Sequence, residues 1–84
     1  MNHYTSSDFW VLYWKFPAEI RDLADKNFEL LKANPHHFSL QLKRIEELWS
    51  VRVGRHYRAI GIDAPDGIQW IWIGSHADYD KFIA

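Results

Sequence analysis

"LWSVRVGRHYRAIGID", residues 48–63, is the stretch that decides the fold. Apolar and polar residues alternate on both sides of a Gly-Arg pair, which is the pattern of two half-buried strands joined by a short turn. Arg52, Arg55 and Arg58 all fall within this hairpin. Like charges that face each other across strands weaken a sheet, so the cluster has no explanation in folding alone.

The length of the turn determines where these arginines point. A two-residue turn pairs Val53 with His56 and sends Arg52 and Arg58 to opposite faces, which avoids repulsion. A three-residue turn pairs Val53 with Tyr57 and places Arg52 directly across from Arg58 on one face. Exposed strand arginines are more often simply solvated than functional. The sequence alone leaves both registers open.

Two helices are predicted before the hairpin. "NHYTS" alternates weakly and predicts a first strand, after which Ser7 or Asp8 is expected to cap a short helix. A second helix is predicted from Pro17, placed at its first helical position. Its apolar face includes Ile20 and Leu31 at helical spacing. "ANPHH" is expected to stop it, since the residue before a proline is pushed out of helical geometry.

Four strand-like runs follow, namely "SLQLKRI", "LWSVRV", "YRAIGID" and "IQWIWIG". The turns between them are short, so the strands are expected to pair in order as an antiparallel meander. Helices followed by sheet predict an α+β domain, with two N-terminal helices on one face of a mainly antiparallel sheet of four to five strands. In the last run, Trp70 and Trp72 are expected on one face, as core packing in preference to a base-stacking platform.

Composition and charge limit the classes of function that the chain can have. The 84 residues suit a single domain, 1–84, and a net charge of -1 argues against a nonspecific polyanion binder. Residues 43–58 nevertheless hold five Lys or Arg against two acids, a local charge of +3. The absence of cysteine excludes a disulfide framework and favours a reducing, cytoplasmic location. Neither metal-ligand spacing nor a glycine-rich phosphate loop is present, so no metal and no cofactor are predicted.

The order "LWSVRVGRHYRAIG", a short acidic turn, and an apolar strand closing on "GSHADY" resembles the RelE/ParE superfamily of toxins from bacterial type II toxin–antitoxin modules, and RelE-like and HigB-like members in particular. The resemblance implies a RelE-like fold and a cognate antitoxin as partner. It further implies a metal-independent endoribonuclease that cuts messenger RNA in the ribosomal A site, with no membrane involved.

The same resemblance assigns site residues. Arg58 in "HYRA" matches the phosphate-binding arginine of the family, and His76 in "GSHADY" matches a position used for acid–base work. Tyr79 approximates a tyrosine that aligns the nucleophile or stacks on a base. These three are the catalytic candidates.

Three further cations are candidates for binding RNA phosphates. Arg52 in "WSVRV" matches a lysine or arginine on the active face of relatives, and Lys43 and Arg55 add to the positive groove. On this interpretation the like charges cluster because an anion binds among them. Arg58 and His76 are both expected to lie outside the apolar core.

Two other functions fit the same fold. One is a ParE-like inhibitor of DNA gyrase without nuclease activity. The other is an inactive protein-interaction module whose basic groove receives an acidic or amphipathic segment. Ser50, which stands where some relatives have a second lysine, and the short spacing between His76 and Tyr79 depart from the nuclease pattern.

Overall fold

A computed structural model describes residues 1–84 as one mixed sheet with helices on both faces. The strands lie in the order β1-β5-β4-β3-β2, with β2 to β5 forming an antiparallel meander and β1 parallel to β5. The predicted α+β architecture is confirmed. No helix has the length and apolar character needed to cross a membrane. The elements are β1 (Asn2–Thr5), α1 (Ser7–Tyr13), α2 (Ala18–Ala33), a 3₁₀ turn (Phe38–Leu40), β2 (Lys43–Ile45), β3 (Leu48–Val53), β4 (Tyr57–Ala64), β5 (Gly67–Ser75) and α3 (His76–Ile83).

The N-terminal helices begin close to the predicted positions. Ser6 caps α1, because its Oγ accepts a hydrogen bond from the backbone N–H of Phe9 at 3.2 Å. The predicted caps, Ser7 and Asp8, already lie inside the helix. Pro17 is the N-cap of α2 and not its first helical residue, and the helix ends at Ala33, before the Asn-Pro pair as expected.

The first predicted strand of the meander is mostly absent. Residues 39–42 do not pair in the sheet, and only Lys43–Ile45 forms β2. A local hydrogen bond explains the difference, because Nδ1 of His37 accepts from the backbone N–H of Ser39 at 3.2 Å and so favours a turn. Leu40 is fully buried by this turn, so the alternation that suggested a strand reflects packing.

One face of the sheet, here called the helix face, carries the core. Its inward residues include Val51, Val53, Ala59 and Ile73, all at most 5% exposed. Helices α1 and α2 both pack here, with Leu31 as the deepest side chain of α2. The two helices therefore cover a single face, as the pattern predicts.

A β-bulge corrects the prediction for the two tryptophans of β5. Ile60 pairs with Trp72, but Gly61 pairs with Trp70, so Ile71 is an extra residue without a partner. The bulge reverses the alternation, and Trp70 and Trp72 therefore lie on opposite faces. Trp70 is buried under the helices, whereas Trp72 is half-buried on the other side.

Helix α3 was not predicted from the sequence. Ser75 caps it by accepting a hydrogen bond from the backbone N–H of Asp78 at 3.1 Å. The stretch "SHAD" contains the S-x-x-D signature of a helix start, which is the signal that could have revealed it. The helix turns the chain back over the sheet face opposite α1 and α2.

Candidate functional site

The hairpin adopts the three-residue register. Val53 pairs with Tyr57, and Arg52 pairs directly with Arg58. Gly54 has a φ of 65°, and a Cβ there would lie 2.4 Å from Cδ2 of Leu23. Glycine thus allows both the left-handed turn and its close packing on α2, and this fixes the two arginines on one face.

The face opposite the helix face is here called the cationic face. Cross-strand partners share a face, so two rows of side chains define it: Lys43, Ser50, Ile60 and Trp72, and beside them Arg52, Arg58 and Gly74. Helix α3 packs on this side of the sheet, and Gln41, which follows the 3₁₀ turn, reaches it. Lys43, Arg52 and Arg58 therefore lie on the same face of the sheet, the one on which helices α1 and α2 do not pack.

Arg58 is buried, although it is not part of the apolar core cluster. The residue is only 7% exposed. Nη2 donates to Oε1 of Gln41 at 2.9 Å and Nη1 donates to Oγ of Ser50 at 3.3 Å. The ring of Tyr79 covers the guanidinium, with Cζ 5.2 Å from the ring centroid. This burial could not be predicted from the sequence because the cover comes from α3.

The charge of Arg58 is not compensated within the protein. No carboxylate forms an ion pair with it, and both of its side-chain acceptors are neutral. Its Nε is buried without any hydrogen-bond partner. A buried charge is costly unless it is paired and fully hydrogen-bonded. The site is thus chemically suited to an anion that supplies the missing charge.

Helix α3 brings the other two catalytic candidates beside Arg58. Tyr79 is 3% exposed, and its hydroxyl is buried without a partner. The ring of His76 lies 6.0 Å from that of Tyr79 and is exposed to solvent. Nδ1 of His76 lies 3.3 Å from Oδ2 of Asp80, so a protonated imidazole has a carboxylate partner. Arg58, Tyr79 and His76 form a continuous series from the sheet to the surface.

The three remaining candidates differ in exposure. Lys43 lies at the edge of the sheet and Arg55 at the tip of the hairpin, both exposed. Arg52 is half-buried, and its Nε donates to the backbone carbonyl of Gly54 at 3.0 Å. All three retain charged groups free of carboxylate partners. They can contact a phosphate backbone on either side of Arg58.

Arg44 belongs to a different arrangement. Its guanidinium makes two hydrogen bonds to the carboxylate of Asp63 and lies over the ring of Trp49, whose Nε1 also donates to Asp63. The bonds from Arg44 and Trp49 lower the pKa of Asp63. Arg44 is thus neutralised, and its cross-strand row, which includes Trp49 and Gly61, lies on the helix face.

Gln41 and Ser50 are residues that sequence reasoning did not assign to the site. Gln41 has a φ of 44°, which is uncommon for a residue with a side chain, and it directs its amide oxygen at Arg58. Ser50 is 1% exposed, and its Oγ accepts a hydrogen bond from Nη1 of Arg58. The backbone conformation of Gln41 depends on the 3₁₀ turn, so no local sequence signal could have identified it.

A cavity of about 290 Å³ lies elsewhere, between the two N-terminal helices and the sheet. Its lining is mainly apolar and aromatic, and it includes neither Arg58, His76 nor Tyr79. Arg52 is the one candidate residue in this lining, so the cavity lies apart from Arg58, His76 and Tyr79.

Comparison with known proteins agrees with the fold and with the class of protein. The family described as the ParE-like toxin domain matches residues 18–81. The chain therefore belongs to the ParE-like toxin domain family, and the predicted RelE/ParE relationship is confirmed. No curated protein sequence matches the chain.

Solved toxin structures share the whole fold. The chain is similar to a structure of the RelB-RelE antitoxin-toxin complex from Methanococcus jannaschii, at 16% identity and a TM-score of 0.72, covering 96% of this chain and 99% of the other. It is also similar to YafQ from E. coli, at 14% identity and a TM-score of 0.70, covering 93% and 96%. A YoeB/ParE toxin from Agrobacterium tumefaciens has 15% identity and a TM-score of 0.68, covering 90% and 99%. At these identities the likeness establishes the fold.

Proposed function

We propose that this toxin is a metal-independent endoribonuclease that cuts messenger RNA in the ribosomal A site and so inhibits translation. The single observation that carries the proposal is Arg58, a buried cation with no counter-charge of its own. A protein that only needed a stable sheet would gain by an apolar residue at this position. A bound phosphate supplies both the missing charge and an acceptor for the unpartnered Nε.

Each side chain of the site has its own role in the proposed reaction. In this reaction the 2′-hydroxyl of the RNA attacks the adjacent phosphate, so a proton leaves one oxygen, charge builds on the phosphate, and a proton reaches the leaving oxygen. Arg58 stays protonated and stabilises the developing charge. His76 transfers a proton, since an imidazole can act as a general acid or base. Tyr79 positions the reacting nucleotide, and Lys43, Arg52 and Arg55 bind flanking phosphates.

The proposed partners follow from the same face. One of the similar structures is an antitoxin-toxin complex, and we propose that a cognate antitoxin covers the cationic face of this toxin in the cytoplasm. Neutralisation then competes with RNA. An antitoxin complex that inhibits the toxin while leaving Arg52 and Arg58 as accessible as in the free protein would contradict occlusion.

The test is in vitro cleavage of a defined transcript by the purified protein, with and without programmed ribosomes. We expect cuts within the A-site codon only when ribosomes are present. His76→Ala should remove these cuts. Lys26→Ala, which removes an exposed cation from α2 on the other side of the sheet, is the matched control and should cut normally. Intact transcripts under all conditions would refute the proposal.

A second candidate function is inhibition of DNA gyrase by binding alone. It is favoured by the match to a ParE-like family and by the closed position of Arg58 beneath Tyr79. A supercoiling assay separates the two functions. Inhibition of gyrase that is unchanged by His76→Ala, together with intact transcripts, would support this second function.

A further inference from the structure

We propose that the cavity between α1, α2 and the sheet binds a small organic cation, namely an ammonium group attached to one or two aromatic rings. The cavity lies on the helix face, and none of the three catalytic candidates lines it. The proposal therefore goes beyond the nuclease function, and either one can fail without the other. It rests on the volume of the cavity, on the rings that line it and on one carboxylate at its mouth.

The volume of the cavity suits a ligand of one or two rings. It is about 290 Å³, and an apolar cavity of about 150 Å³ already holds benzene. Protein interiors are packed so closely that voids larger than a water molecule are few in any domain. Small-molecule sites begin at about 300 Å³ and combine mainly apolar walls with a few polar groups, as this cavity does.

Aromatic rings line the cavity from its floor to its mouth. Tyr13 and Trp70 are buried, so they belong to the floor. Trp10 and Phe28 are exposed to solvent although they line the same cavity, so they lie at the mouth. Aromatic rings bury a planar ligand well, and the negative face of a ring attracts a cation. The walls thus suit a ligand that is both aromatic and positively charged.

Asp25 gives the site its preference for positive charge. It lines the cavity from α2 and is exposed, so it also lies at the mouth. Its Oδ1 accepts a hydrogen bond from the hydroxyl of Tyr13 at 2.8 Å, and no cationic side chain forms an ion pair with it. Arg21, one turn earlier, lies over the ring of Trp14 instead. A carboxylate without a cationic partner favours an ammonium group over an anion.

The other cations around the cavity do not cancel this preference. His3 lines the cavity, but burial, with the positive N-terminus and Lys32 nearby, lowers the pKa of its imidazole, so the ring is neutral at neutral pH. Lys32 itself is paired with Glu29 at 3.1 Å. Arg52 belongs by its register to the cationic face. Asp25 is therefore the charged group that a ligand meets at the mouth.

The test is a titration of the ¹⁵N-labelled protein with three compounds that share an indole ring, followed by NMR of the tryptophan indole N–H signals. Tryptamine carries an ammonium group, indole-3-propionate a carboxylate and 3-ethylindole no charge. Tryptamine should shift the signals of Trp10 and Trp70 to saturation. The three tryptophans outside the lining should not respond, namely Trp14, Trp49 and Trp72. Indole-3-propionate should bind about fivefold more weakly or worse.

Asp25→Asn removes the charge but keeps an oxygen that accepts the hydrogen bond from Tyr13. This variant should bind tryptamine several-fold more weakly and 3-ethylindole as the wild type does. Asp22→Asn is the matched control, because Asp22 is an exposed carboxylate of the same helix outside the lining. It should change neither affinity.

Three results with the wild-type protein would overturn the proposal: tryptamine shifts neither Trp10 nor Trp70, it shifts all five tryptophans alike, or indole-3-propionate binds as tightly as tryptamine. Equal weakening by Asp25→Asn and Asp22→Asn would also overturn it, because it would show attraction to the whole surface of α2. No RNA enters these measurements, so their outcome is independent of the nuclease proposal.

Discussion

The two faces of the sheet are built from the same strands and differ sharply in how they are covered. The helix face buries Val51, Val53, Ala59 and Ile73 beneath two helices. The cationic face buries Arg58 beneath a single short helix and leaves two polar atoms without partners. The packed apolar core lies on the helix face, and the unpaired charge and the two polar atoms without hydrogen-bond partners lie on the cationic face. This division is expected when one face folds the chain and the other binds a charged ligand.

The largest effect should appear on the cationic face, in activity. His76→Ala removes the group that transfers protons, and cleavage of ribosome-bound transcripts should fall by about 100-fold to 10,000-fold. Because the imidazole is exposed, the free energy of unfolding should change little. One limb of the pH–rate profile should become flat. A folded His76→Ala protein that is still fully toxic in cells would remove His76 from the mechanism.

The helix face should show the largest loss of stability. Trp70→Ala empties a buried site and should lower the free energy of unfolding by about 3–5 kcal/mol. Trp72→Ala offers a matched control two positions away on the same strand, where the half-buried ring of Trp72 lies on the other face. We expect a loss of only about 1–2 kcal/mol there. Equal losses in urea unfolding would mean that the two faces contribute equally to the core.

Arg58→Met should raise the free energy of unfolding, whereas Trp70→Ala should lower it. Methionine fills a similar volume without a charge, so the variant should be more stable than the wild type by about 1–4 kcal/mol. Urea unfolding of the two proteins side by side measures the difference. A destabilised variant would show that the bonds from Arg58 to Gln41 and Ser50 outweigh the burial of its charge.

The smallest effect concerns pH and belongs to the helix face. Burial lowers the pKa of His3 below its usual value of 6.5, and its Nδ1 accepts a hydrogen bond from Nε1 of Trp70. The folded state therefore favours the neutral form of His3. Its contribution to the free energy of unfolding is complete above pH 6.5 and is lost as the pH falls below 6.5.

Thermal unfolding at pH 5 and pH 7.5 measures this effect. His3→Gln keeps an acceptor for Trp70 but cannot titrate, so its midpoint should fall less than that of the wild type between the two values. The lowered pKa values of Asp63 and Asp66 act only near and below their usual 3.8 and do not interfere. An equal fall in both proteins would show that His3 makes no contribution.

The sequence predicted the helix face better than the cationic face, for a physical reason. Periodicity reports burial against a continuous core, so the two helices and strands β3 to β5 could be found from their apolar spacing. The bulge at Ile71 and the turn at Leu40 were missed, because each breaks the period locally, the turn through the hydrogen bond from the backbone N–H of Ser39 to His37. Periodicity gives no warning of either.

The site itself was predicted only in part. Resemblance to a family selected Arg58, His76 and Tyr79, and the structure brings these three together. The roles of these residues stay predictions. The burial of Arg58 could not be foreseen, because it depends on α3 and on Gln41, which reach the site through tertiary structure. The register of the hairpin was left open by the sequence and is settled by the packing of Gly54 on Leu23.

The most direct test of the central claim is the rate at which Arg58→Met cleaves ribosome-bound transcripts, measured on protein shown to be folded. If Arg58 is retained for an anion at the expense of stability, the variant should be at least as stable as the wild type. It should cleave at least about 100-fold more slowly, because the charge that stabilises the transition state is gone. Cleavage at the wild-type rate by the folded variant would contradict the claim that the cationic face is built around Arg58.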